Sequence, residues 1–85
     1  MDYKIGYYAT SKAGHDKGKR YIISRVDREY VYLVNGDTKR TASPKKKKKI
    51  HIQVECSIDR KMKHKLSNNC KITDDDICEA LQRHL

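Results

Sequence analysis

Two glycines lie four residues apart among basic side chains in the segment from residue 11 to residue 20. Glycine adopts positive φ readily, so Gly14 and Gly18 could fold a tight loop that exposes its backbone N–H groups. Four cationic side chains come from the same segment: Lys12, Lys17, Lys19 and Arg20. The combination predicts a loop that contacts phosphate groups. The alternative is an ordinary polar turn.

A run of five lysines, Lys45–Lys49, follows Pro44. Mutual repulsion and the absence of apolar side chains predict an extended arm that contacts phosphates without reading sequence. The alternatives are a solvated charged loop and, in a eukaryote, a nuclear localisation signal. Lys39 and Arg40 precede the run and could extend the same basic patch.

The positive charge is confined to the first part of the chain. The net charge is +9, and residues 1–54 hold ten Lys and four Arg against five acids, whereas residues 55–85 hold six bases against six acids. This asymmetry indicates one basic module that binds a polyanion, followed by a neutral structural tail. His15 and His51 lie beside lysines of the basic part, where they would contact the same partner or remain exposed polar residues.

Catalytic and metal-binding patterns are not found in the sequence. Cys56, Cys70 and Cys78 are odd in number and lack CxxC spacing, which predicts reduced thiols and no disulfide framework. Their spacing, with His64 added, matches no usual zinc knuckle. Because no nucleophile–His–acid order and no Walker or Rossmann glycine pattern occurs, we expect no enzymatic activity, no cofactor and no metal.

Length and hydropathy limit the class of protein. A chain of 85 residues allows one small domain. No stretch approaches the roughly 20 apolar residues of a membrane span, and the first residues lack the apolar region of a signal peptide. We therefore expect a cytoplasmic monomer without a membrane partner.

Alternation of apolar and polar residues predicts the first strand. Tyr3, Ile5, Tyr7 and Ala9 recur at every second position, which would place them on the inner face of a sheet. Tyr8 would point to the other face. There it could stack on a base or pack under the C-terminal tail.

Four further strands are expected. Residues 20–26 and 30–34 are rich in β-branched and aromatic residues and predict a hairpin pair. Asn35-Gly36 favours a two-residue type I′ turn, so residues 37–42 should form a fourth strand. A short fifth strand is indicated by three alternating residues: Ile50, Ile52 and Val54. Five short strands in about 55 residues fit a small SH3-like β-barrel best.

The tail has helical spacing. Ile58, Met62 and Leu66 predict a helix of about three turns that ends near Asn68-Asn69. Thr73, followed by three aspartates, is typical of the N-cap of a second helix. The buried stripe of that helix would comprise Ile77, Ala80, Leu81 and Leu85. The expected fold is mainly β, with a barrel over residues 1–54 and a helical extension over residues 55–85 packed on it as one domain.

Several of these motifs together resemble a known family. The Lys12–Lys19 loop, the Asn35-Gly36-Asp37 turn, the run from Pro44 to Ile52 and the early Gly6 resemble the bacterial KOW-domain RNA-binding proteins, which are similar to large-subunit ribosomal proteins of archaea and eukaryotes. Gly18 best matches the characteristic glycine of the KOW loop. The resemblance covers residues 4–54. It implies an SH3-like barrel that binds RNA, with ribosomal RNA as the expected ligand, and no catalysis.

The residues expected to contact RNA lie in the two basic segments and near them. They are Lys12, Gly14, His15, Lys17, Gly18, Lys19, Arg20, Lys39, Arg40, Lys45, Lys46, Lys47, Lys48, Lys49 and His51. Ribosomal proteins are further possible partners. Since KOW domains also bind proteins in transcription elongation factors, the alternative function is a protein-interaction module that docks on the ribosome or the transcription machinery. DNA binding is a second alternative.

Overall fold

Five antiparallel strands and two helices make up residues 2–84, the part of the chain that the structure, a computed structural model, describes. The strands are β1 (Tyr7–Ser11), β2 (Arg20–Val26), β3 (Tyr30–Val34), β4 (Lys45–Lys48) and β5 (Ile52–Ile58). A 3₁₀ turn, Lys49–His51, joins β4 to β5. The helices are α1 (Arg60–Ser67) and α2 (Asp74–Arg83).

The sheet has the order β4-β3-β2-β1-β5, so the fifth strand returns beside the first. β4 and β5 form its two edges and leave it open between them. The expected fold class, a small SH3-like barrel of five short strands with a C-terminal helical extension, agrees with this architecture. The register pairs Thr10 with Arg20, Ile22 with Val34 and Leu33 with Lys45. The loop after β1 and the loop after β3 therefore lie at the same end of the sheet.

Two apolar clusters lie on opposite faces of this sheet. The first lies on the face that the helices do not cover and contains Ala9, Tyr21, Ile23, Val31, Leu33, Ile52 and Val54. The second lies between the other face and the helices and contains Tyr8, Ile22, Val34, Met62, Ile77 and Ala80. Because strand residues alternate between faces, each central strand contributes to both clusters. The helices thereby supply the core that the sheet alone lacks.

Both helices begin at side-chain caps. The Asp59 carboxylate accepts from the Met62 backbone N–H at 3.2 Å and starts α1. Thr73 and Asp76 form a reciprocal capping box at the start of α2, as the Thr73 pattern predicts. α1 has eight residues, about two turns and not three, because Ile58 is the last residue of β5. Leu85, expected in the buried stripe of α2, lies outside the described residues.

Tyr8 packs under the helical tail. Its hydroxyl donates to the Ala80 carbonyl at 2.9 Å, and its ring stacks on the His84 imidazole with the centroids 4.0 Å apart. Only 3% of Tyr8 is exposed. Of the two alternatives for this tyrosine, packing is therefore correct and base stacking is wrong.

The first and fifth strands begin later than expected. β1 starts at Tyr7 because Gly6 adopts a φ of +97° in a turn in which the Tyr7 N–H donates to the Lys4 carbonyl at 3.1 Å. Ile5, predicted to point inward, is consequently 50% exposed. Ile50 lies in the 3₁₀ turn and is 72% exposed, so β5 starts only at Ile52.

The segment after Asn35 is a loop, so the predicted fourth strand over residues 37–42 is wrong. The Asn35 side-chain oxygen accepts from the backbone N–H groups of Asp37 and Lys39 at 3.0 and 2.9 Å. These bonds wrap the chain around one side chain and prevent a two-residue turn. The fourth strand forms instead from Lys45–Lys48, where an unpaired arm was expected.

Gly36 fixes the distance between this loop and α2. It has a φ of +79°, and a Cβ at this position would lie 2.4 Å from the Asp74 carbonyl oxygen and 2.6 Å from the Cys78 sulfur. Only glycine fits this contact. Gly18 has a similar φ of +87°, but a Cβ there would meet nothing within 4 Å.

Replacing Gly36 with alanine should destabilise the fold more than replacing Gly18 with alanine. Both substitutions carry the cost of a left-handed backbone, about 1–2 kcal/mol. Only Gly36→Ala adds overpacking against α2, worth about 1–3 kcal/mol. Urea unfolding of both variants and the unmodified protein measures the difference, and equal destabilisation would show that the loop does not constrain the helix.

Candidate nucleic-acid interface

The loop between β1 and β2 is tightly turned and internally bonded. Gly14 and Gly18 have φ values of +84° and +87°, as a tight glycine loop requires. The Gly18 N–H donates to the Ser11 carbonyl at 2.8 Å, and the Lys17 N–H donates to the Gly14 carbonyl at 3.2 Å. These N–H groups are therefore used inside the loop. The expected phosphate cradle of backbone N–H groups is therefore wrong for Lys17 and Gly18, whose N–H groups are not available to an anion.

A buried carboxylate organises the loop. Asp16 is only 5% exposed. One of its oxygens accepts from the Ser11 hydroxyl at 2.8 Å and from the Lys47 ammonium at 2.7 Å. The other accepts from the Tyr21 hydroxyl at 3.1 Å and pairs with the Lys45 ammonium at 2.8 Å. Four side chains from β1, β2 and β4 thus converge on one acid in the loop.

The electrostatics of this cluster favour the ionised acid. Burial by itself would raise the pKa of Asp16, but the hydrogen bonds from Lys45, Lys47, Ser11 and Tyr21 outweigh it and hold the pKa well below its usual range. Burial and the neighbouring Asp16 charge raise the pKa of Tyr21 to about 12, so this hydroxyl stays a donor. The cluster therefore remains a charged, fully bonded unit at neutral pH.

The lysine run is divided between the two faces of β4. The Lys45 and Lys47 side chains, 30% and 11% exposed, point toward Asp16, whereas Lys46 and Lys48 point away and are exposed. Like charges on one face of a strand are about 6.7 Å apart, and Asp16 compensates the inner pair. The repulsion that predicts a free arm is thereby relieved, which explains why the run forms a strand.

The other residues of the basic loop are open to solvent. Lys12, His15, Lys17 and Lys19 are exposed, and we call these four side chains the basic loop surface. His51 adjoins it, because its carbonyl accepts from the Lys12 N–H at 2.8 Å. Gly14 also lies beside Lys47, since a Cβ there would be 3.7 Å from the Lys47 ammonium. The loop, β4 and the 3₁₀ turn therefore form one region.

Other predicted contact residues make contacts elsewhere in the fold. The Arg20 guanidinium lies 5.5 Å from the centroid of the Tyr8 ring, on the face that the helices cover. Arg40 donates to the Asp37 carbonyl at 3.2 Å within the loop after β3, and the neighbouring Thr41 N–H donates to Asp74 in α2. Lys39 belongs to the same loop. Lys49 lies over Tyr3 and donates to the Arg28 carbonyl at 3.0 Å, near the β2–β3 turn.

Two features were missed by reasoning from the sequence. In the sequence Asp16 is a single acid in a basic loop, and none of its neighbouring residues indicates that it is buried. Tyr30 and Tyr32 were not singled out, yet both point away from the first cluster and are half-buried. The alternation Tyr30-Val31-Tyr32-Leu33 carried the signal, because Val31 and Leu33 already occupy the inner face.

Comparison with known proteins assigns no family. No protein-family model matches the chain, and no curated protein matches it. Within residues 2–84, no group of three or more His, Cys, Asp or Glu side chains could hold a metal ion. In the same part of the chain, neither helix is long and apolar enough to cross a membrane.

Replacing Asp16 with asparagine should destabilise the protein in a pH-dependent way. At neutral pH the substitution leaves Lys45 and Lys47 without their counter-charge and should cost about 3 kcal/mol. The pKa of Asp16 is lower in the folded state than in the unfolded state. Its contribution is therefore complete above the unfolded value of about 3.9 and is lost as the pH falls below it.

The free energy of unfolding of the two proteins should thus differ most near pH 7 and converge as the pH is lowered below about 4. Urea titrations from pH 7 to pH 2 measure this gap. Asp27→Asn is the control, because Asp27 is exposed and its 3.8 Å pair with Arg25 should contribute little. A gap that is absent, or that stays constant with pH, would contradict the role of Asp16.

Proposed function

We propose that this protein binds RNA through the basic loop surface. The observation that carries the proposal is that Lys12, Lys17 and Lys19 are exposed and that no ion pair within residues 2–84 involves them. The acid of their own loop, Asp16, is already compensated by Lys45 and Lys47. The positive charge of the loop is consequently available to an external polyanion.

The distribution of ion pairs supports the same function. Of the fourteen Lys and Arg side chains in residues 2–54, three take part in ion pairs: Arg25, Lys45 and Lys47. In the helical tail, Lys65 and Arg83 are paired with Asp76 and Asp59 at 2.7 Å. The sheet thus presents uncompensated charge, while the helices compensate part of theirs. Such an imbalance is the electrostatic footprint of a nucleic-acid-binding surface.

The class of RNA follows from the resemblance to KOW-domain proteins. That resemblance favours structured RNA, with ribosomal RNA as the proposed ligand, and a cytoplasmic role at the ribosome. Lysine ammonium groups on a short loop contact phosphates as point charges and carry no base specificity. At this surface, specificity would come from the shape of the folded RNA.

Replacing Lys12, Lys17 and Lys19 with serine should weaken RNA binding and its salt dependence. Each lysine that neutralises a phosphate releases counterions, so the negative slope of log K against log salt should become less steep by about two units. Lys61, Lys63 and Lys71 are exposed lysines of the helical tail. Their replacement with serine removes the same charge and is the matched control. Fluorescence anisotropy with a labelled hairpin RNA, measured from low to high salt, gives both slopes.

Equal effects of the two triple variants would contradict a localised site and indicate only general attraction by net charge. A wild-type protein that binds no RNA at low salt would remove the proposal altogether. Duplex DNA that competes as well as the hairpin would favour the DNA-binding alternative.

A protein-interaction module is the second candidate, and the exposed Ile50 favours it. This isoleucine is 72% exposed in the 3₁₀ turn, close to Tyr3 and Lys49. Binding partners that are retained after nuclease treatment, and lost in Ile50→Ser, would support this function. Partners that are lost after nuclease treatment would support RNA binding.

A further inference from the structure

The helices cover only part of the outer face of the sheet. Tyr8, Ile22 and Val34 lie beneath them in the second apolar cluster. Tyr30 and Tyr32 share that face with Val34, because they are four and two residues before it on β3, yet they lie outside the cluster. Two half-buried tyrosines thus occupy an uncovered sheet surface.

The strand register places cations on both sides of these rings. Arg25 of β2 and Lys46 of β4 are the partners of Tyr32 on its two sides, which forms a row across three strands. Lys48 is the partner of Tyr30 in the next row. We call these five side chains the tyrosine face: Arg25, Tyr30, Tyr32, Lys46 and Lys48.

Each ring already contacts a cation. The Arg25 guanidinium is 4.7 Å from the centroid of Tyr32, and the Lys46 ammonium is 4.3 Å from the centroid of Tyr30. Both cations are exposed, so they can move aside or remain as a second stacking layer. The strand fixes the backbone positions of both tyrosines. The surface therefore combines two aromatic rings with exposed positive charge.

An open depression adjoins Tyr32. It is lined by Ser24, Arg25, Tyr32, Thr41, Ala42, Ser43 and Pro44, which include several hydroxyl groups. Two acids lie near this surface: Glu29 lines a depression with Tyr30, and Asp27 pairs with Arg25 at 3.8 Å and accepts from the Tyr32 hydroxyl at 3.4 Å. Asp27 is the one in an ion pair with these cations. It compensates one of the three cations. Lys46 and Lys48 remain outside the ion pairs within residues 2–84.

We propose that the tyrosine face binds a single-stranded segment of RNA by stacking bases on Tyr30 and Tyr32 while Arg25, Lys46 and Lys48 contact its phosphates. The inference rests on the proposed RNA-binding function and adds a second, chemically different surface to it. Residues two apart on a strand are about 6.7 Å apart, so each ring can take its own base when the bases are unstacked. A protein ligand fits this surface less well, because a polypeptide does not present a regular series of planar groups linked by negatively charged groups.

Single-stranded RNA fits this face better than a duplex does. The bases of a duplex are paired and stacked, whereas those of a single strand can turn onto aromatic side chains. Any base can stack on an aromatic ring because every base has a π-face, and cations beside the rings can contact the phosphates of the RNA backbone. The basic loop surface would attract RNA through its phosphates, and the tyrosine face would hold an unpaired stretch of it.

The test compares two double variants of the full-length protein. Tyr30→Leu with Tyr32→Leu removes both rings and keeps apolar bulk, while Tyr30→Phe with Tyr32→Phe keeps both rings and removes the hydroxyl groups. Affinity is measured for octauridylate and for a blunt RNA duplex. The leucine variant should bind octauridylate about tenfold or more weakly. The phenylalanine variant should bind it as the unmodified protein does, and duplex binding should change little in both.

A crosslinking experiment on the unmodified protein does not depend on the folding of any variant. Octauridylate that carries 5-iodouridine is irradiated with the protein, and the crosslinked residue is found by mass spectrometry. Crosslinks should fall on Tyr30 or Tyr32. Crosslinks confined to other residues, such as Tyr3, would overturn the inference.

The two proposals can fail separately. If the leucine variant binds octauridylate normally while the loop variant loses RNA, the tyrosine face is not a site and the proposed function stands. If the leucine variant loses octauridylate while the loop variant keeps all RNA binding, the tyrosine face is supported and the loop surface is not. Equal loss of single strand and duplex in the leucine variant would contradict stacking. No binding of either RNA by the unmodified protein would overturn both proposals.

Discussion

The Asp16 carboxylate joins the loop between β1 and β2 to the edge strand β4. Four side chains from three strands donate to it, and two of them are lysines that would otherwise repel each other across the inner side of β4. A strand of four consecutive lysines is stable because this acid compensates its inward half. The fourth strand of the sheet, the shape of the loop and the orientation of the outward lysines all depend on that compensation.

The same interaction divides the basic residues into two groups with different roles. Lys45 and Lys47 are structural, since they are largely buried against Asp16. Lys12, Lys17 and Lys19 remain exposed because the acid nearest to them in sequence is already compensated. A charge count over the whole segment cannot separate these groups. The position of the buried Asp16 carboxylate separates them, because it pairs with Lys45 and Lys47 only. The loop therefore remains positively charged toward solvent.

The helical tail makes a corresponding division among the tyrosines. α2 covers Tyr8, whose hydroxyl donates to the Ala80 carbonyl, so this ring is part of the core. The tail does not reach Tyr30 and Tyr32, which lie on the same face of the sheet beside exposed cations. The extent of the tail thus determines which aromatic side chains pack and which are available to a partner. Gly36 sets its position through close contact with Asp74 and Cys78.

Local patterns in the sequence determined the second and third strands, the Thr73 cap and the buried helix residues Met62, Ile77 and Ala80, because alternation, helical spacing and capping act between near neighbours. The sequence also shows directly that the net positive charge is confined to residues 1–54. Only the tertiary structure decided that the lysine run forms a strand and that Asp16 is buried. Both depend on groups about 30 residues apart, and only the folded sheet brings these groups into contact.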